Sequence, residues 1–84
     1  MTKLLYFSWV RERIGLASEE RDIPASVITV QQFLEWMSEQ GPEYENALAE
    51  ATSLRVALDQ THVTSDAPIS GAREIAIFPP MTGG

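Results

Sequence analysis

From Leu4 to Val10 the chain is aliphatic or aromatic at every position except Ser8, and the run halts at Arg11-Glu12-Arg13. A short apolar stretch bounded by charge predicts a strand covered on both faces. Gly15 marks the turn that follows. Ala17 to Ile23 carries Glu19, Glu20, Arg21 and Asp22, which predicts a short charged strand guarded against unwanted pairing, with Pro24 closing it. The period then changes. Val30, Phe33, Leu34 and Met37 recur at the spacing of one helical stripe, and Thr29 with Gln32 forms a capping box at its start. Gly41-Pro42 is expected to stop that helix, the glycine as a left-handed cap and the proline as a residue that cannot continue it. A shorter helix is predicted over Glu43 to Glu50, with Tyr44 and Leu48 turned inward.

Beyond it the period is two. Leu54, Val56 and Leu58 alternate with Arg55, Ala57 and Asp59, and Asp59-Gln60 leads through a turn into Thr61 to Val63, which predicts a hairpin. Ser65 to Gly71 reads as loop, and Glu74 to Phe78 as a last strand stopped by Pro79-Pro80. The predicted order is strand, strand, helix, strand, strand. Hairpins at both ends with one main helix between them suggest an α+β fold, a mixed sheet whose two terminal strands run parallel at its centre. That is the ubiquitin-like β-grasp arrangement, although the order alone also fits other small α+β folds.

Strand parity divides the apolar residues between two faces. With Leu4, Tyr6, Val10, Val56, Leu58, Val63, Ile75 and Ile77 turned to the helix, Leu5, Phe7, Ala57, His62, Ala76 and Phe78 point the other way. This outer set is too apolar for plain solvent and predicts a protein-docking face. The competing reading places Leu5 and Phe7 beneath a loop or the second helix.

Length and composition narrow the function. Eighty-four residues make one small domain with one core. A formal charge of −6 disfavours nucleic acid, whose phosphates would be repelled. The absence of cysteine removes disulfides, thiolate metal sites and a cysteine nucleophile. No run approaches the length of a membrane span, and charge arrives too early for a secretion signal, so a cytoplasmic protein with no membrane partner is expected. His62 is the one histidine and has no acidic or thiol companions in sequence, so it is expected to be a contact residue and not a metal ligand or general base. No pair of carboxylates has a setting suited to acid-base catalysis.

The remaining chemistry sits in the tail. Residues 1–78 are assigned to the folded domain and 79–84 to an extended segment ending in Gly83-Gly84. Pro79 and Pro80 set the exit direction, while Met81, Thr82, Gly83 and Gly84 can extend, and two glycines pass through a slot too narrow for side chains. The carboxylate of Gly84 is a poor electrophile. An acceptor enzyme would have to convert it with ATP to an acyl adenylate, after which sulfur attack would yield a thiocarboxylate, and a long narrow tail would deliver that sulfur into a second protein's pocket.

On these residues the chain resembles the small subunit of molybdopterin synthase, a ubiquitin-like sulfur carrier family. The resemblance spans essentially the whole length. Its most specific part is Phe78-Pro79-Pro80-Met81-Thr82-Gly83-Gly84, supported by Tyr6-Phe7, Val10-Arg11-Glu12 with Gly15, Thr29-Val30, Ala57 with Gln60, and Glu74-Ile75-Ala76. The resemblance implies that Gly84 is adenylated by an enzyme related to ubiquitin-activating enzymes, with ATP used there and no cofactor bound by this chain. Gly84 would then become the thiocarboxylate that donates sulfur to cyclic pyranopterin monophosphate. The tail, Pro80, Met81, Thr82 and Gly83 leading to Gly84, would thread into the large synthase subunit, in a heterotetramer whose active site lies on that subunit. Family contacts fall at positions held here by Phe7, His62 and Phe78. His62 departs from the aliphatic residue often found there and makes the patch less apolar. A carrier for thiazole or cysteine synthesis, and a ubiquitin-like protein modifier, remain the alternatives.

Overall fold

A computed structural model describes residues 1–50 and 53–80. Among these residues five strands and three helices follow in the order β1 (Thr2–Tyr6), α1 (Ser8–Ile14), β2 (Ser18–Arg21), α2 (Val30–Ser38), α3 (Pro42–Ala47), β3 (Arg55–Leu58), β4 (Thr61–Val63) and β5 (Glu74–Phe78). The strands form one sheet in the order β2-β1-β5-β3-β4. β1 and β5 run parallel at its centre, with Leu4 opposite Ile75 and Tyr6 opposite Ile77, while the other pairings are antiparallel. This is the expected β-grasp sheet. Its core places Leu4, Tyr6, Val56, Ile75 and Ile77 against Phe33, Leu34 and Met37 of α2.

The main helix forms for the reason read from its sequence. Thr29 accepts from the Gln32 amide at 3.2 Å, and the Gln32 side chain accepts from the Thr29 amide at 3.2 Å, so the capping box closes in both directions. Val30, Phe33, Leu34 and Met37 are all buried.

The first strand is shorter than expected. It ends at Tyr6, and Val10, predicted to close a strand over Leu4 to Val10, lies in α1. Ser8 takes a φ of 56°, which turns the backbone out of the sheet, and the Phe7 carbonyl then accepts from the Val10 amide at 3.2 Å. Val10 and Ile14, four residues apart, are both buried, so the apolar run satisfied a helical stripe as well as a strand. Gly15 ends α1 at a φ of 91°, left-handed geometry that glycine adopts without steric cost. Val10 therefore reaches the helix side of the core from a helix, not from β1.

Gly41 also differs from expectation. Its φ of 164° is extended, and it caps the start of α3, whose first turn holds Pro42. The residue closing α2 is Glu39, in ordinary right-handed geometry. Pro42 suits a helix start because its missing N–H would have had no helical partner there. The predicted inward residues Tyr44 and Leu48 are buried.

The β3–β4 hairpin is as expected, with Leu58 opposite Thr61 around Asp59-Gln60. Asp59 and Gln60 both have positive φ, 49° and 72°, the geometry that matches a two-residue turn to the strand twist. The Asp59 carboxylate accepts from the Arg73 and Glu74 amides at 3.0 Å each and so ties the turn to the start of β5.

Candidate functional site

The outer face of the sheet is built from its register. Leu5 stands opposite Ala76, Ala76 opposite Ala57, and Ala57 opposite His62, a single row across four strands. Phe78 lies two residues beyond Ala76 on the same face of the central strand. The Phe7 amide donates to the Ile77 carbonyl at 3.2 Å, which carries Phe7 alongside the end of β5 although β1 has finished. Three rings therefore converge. Phe7 meets Phe78 edge to face at 6.5 Å between centroids, and His62 meets Phe78 at 5.1 Å with the rings tilted by 51°.

The two alanines were expected to be open on this face, yet both are buried. Phe7 is 45% exposed and His62 is exposed, so the patch is open to a partner at its two flanks. Neither Phe7 nor Leu5 lies beneath the second helix, because the helices occupy the opposite face. Arg55, paired with Phe78 in register, is exposed, and its guanidinium donates to the Leu54 carbonyl at 3.2 Å.

β5 ends at Phe78, and Pro79 and Pro80 follow half-buried. Proline has no amide hydrogen to continue a ladder and restricts the backbone, so the chain leaves the sheet beside the aromatic cluster. The tail residues Met81, Thr82, Gly83 and Gly84 lie outside the described residues. Among the described residues no group of three His, Asp or Glu side chains is placed to hold a metal ion. Nothing on the patch is arranged as an acid-base pair. The patch is an aromatic surface beside the point where Pro79 follows β5.

A second polar arrangement, on the helix side, was not anticipated from sequence. Glu19 and Arg21 belong to the charged run expected to be merely a guarded edge strand, but alternate residues share a face, and these two turn toward α2 and α3. One Glu19 oxygen accepts from both the Tyr6 and the Tyr44 hydroxyls at 2.7 Å, and the other pairs with Arg21 at 3.1 Å. Arg21 also donates to the Tyr44 hydroxyl at 3.0 Å and to Gln40 at 3.2 Å. Burial by itself raises the Glu19 pKa, but the hydroxyls of Tyr44 and Tyr6 and the Arg21 charge outweigh it, and the group titrates below the usual glutamate range. Burial, reinforced by the Glu19 carboxylate, pushes both tyrosine hydroxyls above their ordinary value. The signal available in the sequence was the i, i+2 spacing of Glu19 and Arg21 together with two tyrosines in strand and helix positions. The network fastens the edge strand β2 to the helical layer and so holds the far side of β1 in place.

A chain of this architecture matches a known family over almost its entire length. The chain belongs to the ThiS family. The match runs over residues 4–84. Two relatives, each named molybdopterin synthase sulfur carrier subunit, are similar over the full length of both chains. The protein from Escherichia coli strain K12 is 36% identical over 84 residues and that from Haemophilus influenzae is 32% identical over 84 residues, each covering 100% of both chains. Among solved structures, SAMP1 from Haloferax volcanii superposes with a TM-score of 0.71 at 18% identity, covering 99% of this chain and 98% of that one. A putative molybdopterin converting factor subunit 1 from Pyrococcus furiosus gives 0.66 at 18% identity, covering 95% and 97%. These structural likenesses establish the β-grasp fold. No helix among the described residues is long and apolar enough to cross a membrane.

Proposed function

We propose that this chain is the sulfur carrier subunit of a molybdopterin synthase. The observation that carries the reading is the full-length similarity to two carriers of that name. The geometry supports it, because the central strand ends at a partly exposed aromatic patch and Pro79 and Pro80 follow directly. In this reading Phe7, His62 and Phe78 dock the large synthase subunit, and Pro80, Met81, Thr82 and Gly83 lead Gly84 into that subunit's pocket. The assembly is a heterotetramer in the cytoplasm, and the reacting pocket belongs to the large subunit.

The chemistry begins at Gly84. Its carboxylate attacks the α-phosphorus of ATP on an adenylyltransferase of the ubiquitin-activating kind, forming a mixed anhydride and releasing pyrophosphate. A sulfur nucleophile then adds to the acyl carbon, AMP leaves, and the thiocarboxylate remains. In the large subunit that sulfur passes to cyclic pyranopterin monophosphate, and water returns the terminus to a carboxylate. The folded domain contributes placement: it converts a bimolecular sulfur transfer into one within a docked complex.

Intact-mass measurement after incubation with the activating enzyme, ATP and a sulfur source tests the loading step. Exchange of one oxygen for sulfur should add about 16 Da to the chain. The loaded protein, mixed with the large subunit and the pterin precursor, should then yield the dithiolene product. Loading without any pterin product would defeat the molybdopterin assignment, and new high-mass bands in place of loading would favour a protein modifier.

A further inference from the structure

Phe7 and Leu16 are both large apolar residues that the fold leaves open, 45% and 43% exposed. Phe7 belongs to the aromatic patch, whereas Leu16 has no part in the sulfur chemistry described above. Single apolar residues on a surface are ordinary, so Leu16 matters only through what it adjoins.

Strand pairing gives its neighbour. Leu5 pairs with Ser18 in the antiparallel β1–β2 ladder, and the Tyr6 amide donates to the Ala17 carbonyl at 3.0 Å, which continues that ladder by one pair. Phe7 is still extended, with φ −128° and ψ 154°, so the next pair sets it opposite Leu16. Hydrogen-bonded and non-bonded pairs alternate along such a ladder. Tyr6 and Ala17 are bonded, so Phe7 and Leu16 fall at the position where facing side chains come closest. On the other side of β1, Tyr6 pairs with Ile77, which brings Phe7 level with Phe78 in keeping with their ring contact at 6.5 Å. Leu16, Phe7 and Phe78 therefore form one apolar row across the end of the sheet where Pro79 follows.

The far end of the same face has the opposite character. Glu20 pairs with Lys3, and Lys3 with Glu74, a row of three charges. Between the two rows lie Ser18, Leu5, Ala76, Ala57 and His62. The face thus grades along its strands from apolar to ionic. Protein interfaces have an apolar core and a polar rim, which places the core at the Phe78 end and the rim at the ionic row.

We propose, resting on the sulfur carrier reading, that Leu16 is a further docking residue for the large synthase subunit, whose apolar contact crosses the Phe78 end of the sheet from β4 to the β2 side and stops short of Glu20, Lys3 and Glu74.

Calorimetric titration of the full chain with the large subunit tests this. Leu16→Ala should weaken binding by about fivefold to tenfold, while Leu16→Met, which keeps an apolar side chain of similar volume, should stay within about twofold of the unaltered chain. Lys3→Ala, at the ionic row, should also stay within about twofold. Position 16 is nearly half open, so the alanine variant should unfold close to the native temperature. In the unaltered chain with carbon-13 at the leucine methyls, the Leu16 signals should shift when the large subunit is added. Phe7→Ala is the reference for the docking face. Weakened binding in Phe7→Ala with full affinity in Leu16→Ala would overturn the role of Leu16 and leave the carrier reading standing, whereas full affinity in both would remove the docking face and this proposal with it. Leu16 methyls unmoved in the complex, or Lys3→Ala losing as much affinity as Leu16→Ala, would equally overturn it.

Discussion

Tyr6 on β1 and Tyr44 on α3 donate their hydroxyl hydrogens to the same oxygen of Glu19, each at 2.7 Å. Residues 38 positions apart in sequence are thereby joined through a single carboxylate on the edge strand. Arg21, stacked on the Tyr44 ring at 4.9 Å, neutralises that carboxylate from its other side. Every member has a partner, which is the condition under which a partly buried polar cluster adds order to a core instead of weakening it.

The network gives stability a pH dependence of defined sign. Glu19 has a folded-state pKa below its unfolded value, so its contribution is fully present above the unfolded pKa of about 4.3 and is lost as pH falls through the folded value. Urea unfolding of the native protein should therefore show a loss of stability below about pH 4 that is smaller in Glu19→Gln. At neutral pH the same variant should cost about 1 to 3 kcal/mol, because two hydroxyls and a guanidinium lose a charged acceptor. Equal acid sensitivity in the two proteins would exclude Glu19 as a contributor.

Docking should depend on the three converging rings. Phe7→Ala and Phe78→Ala should each weaken binding to the large synthase subunit by about 1 to 3 kcal/mol, measured by calorimetry. Phe7 is close to half exposed, so its variant should unfold at nearly the native temperature, which separates lost contact from lost fold. Full affinity in both variants would remove the patch from the interface.

Deletion of Gly84 should abolish sulfur loading with ATP and the activating enzyme while leaving the circular dichroism spectrum unchanged. Among the described residues β5 is the last strand and ends at Phe78, and the core residues lie before that position. A collapse of the spectrum would mean that the terminus has a role in folding.

The β3–β4 turn is open to improvement. Gln60 holds a φ of 72°, a region costly for residues with a Cβ, and type I′ turns favour glycine at that second position. Gln60→Gly should raise stability by up to about 1 kcal/mol by thermal unfolding. Asp59→Ala should lower it, because the Arg73 and Glu74 amides would lose their acceptor.

Much of the fold was legible because the deciding forces were local. The Thr29–Gln32 capping box, the apolar stripe of α2, the Asp59-Gln60 turn and the stop after Phe78 each depend on residues within a few positions of one another. The stretch from Leu4 to Val10 was ambiguous for the opposite reason. Its apolar residues fit either period, and a positive φ at Ser8, unmarked by glycine, made the choice. Gly41-Pro42 gave the right location for a break but admitted two readings, the end of one helix or the beginning of the next.

The linear order of residues was enough to determine the strand and helix types over most of the chain and the split of apolar side chains between two sheet faces, since periodicity and side-chain type carry those directly. Tertiary structure alone decided that Phe7, His62 and Phe78 share one cluster and that Glu19 belongs with Tyr6, Arg21 and Tyr44. Those groupings arise from pairing strands far apart in sequence, and the register of such pairs is set by the packing of the whole core, which no short stretch of the chain contains.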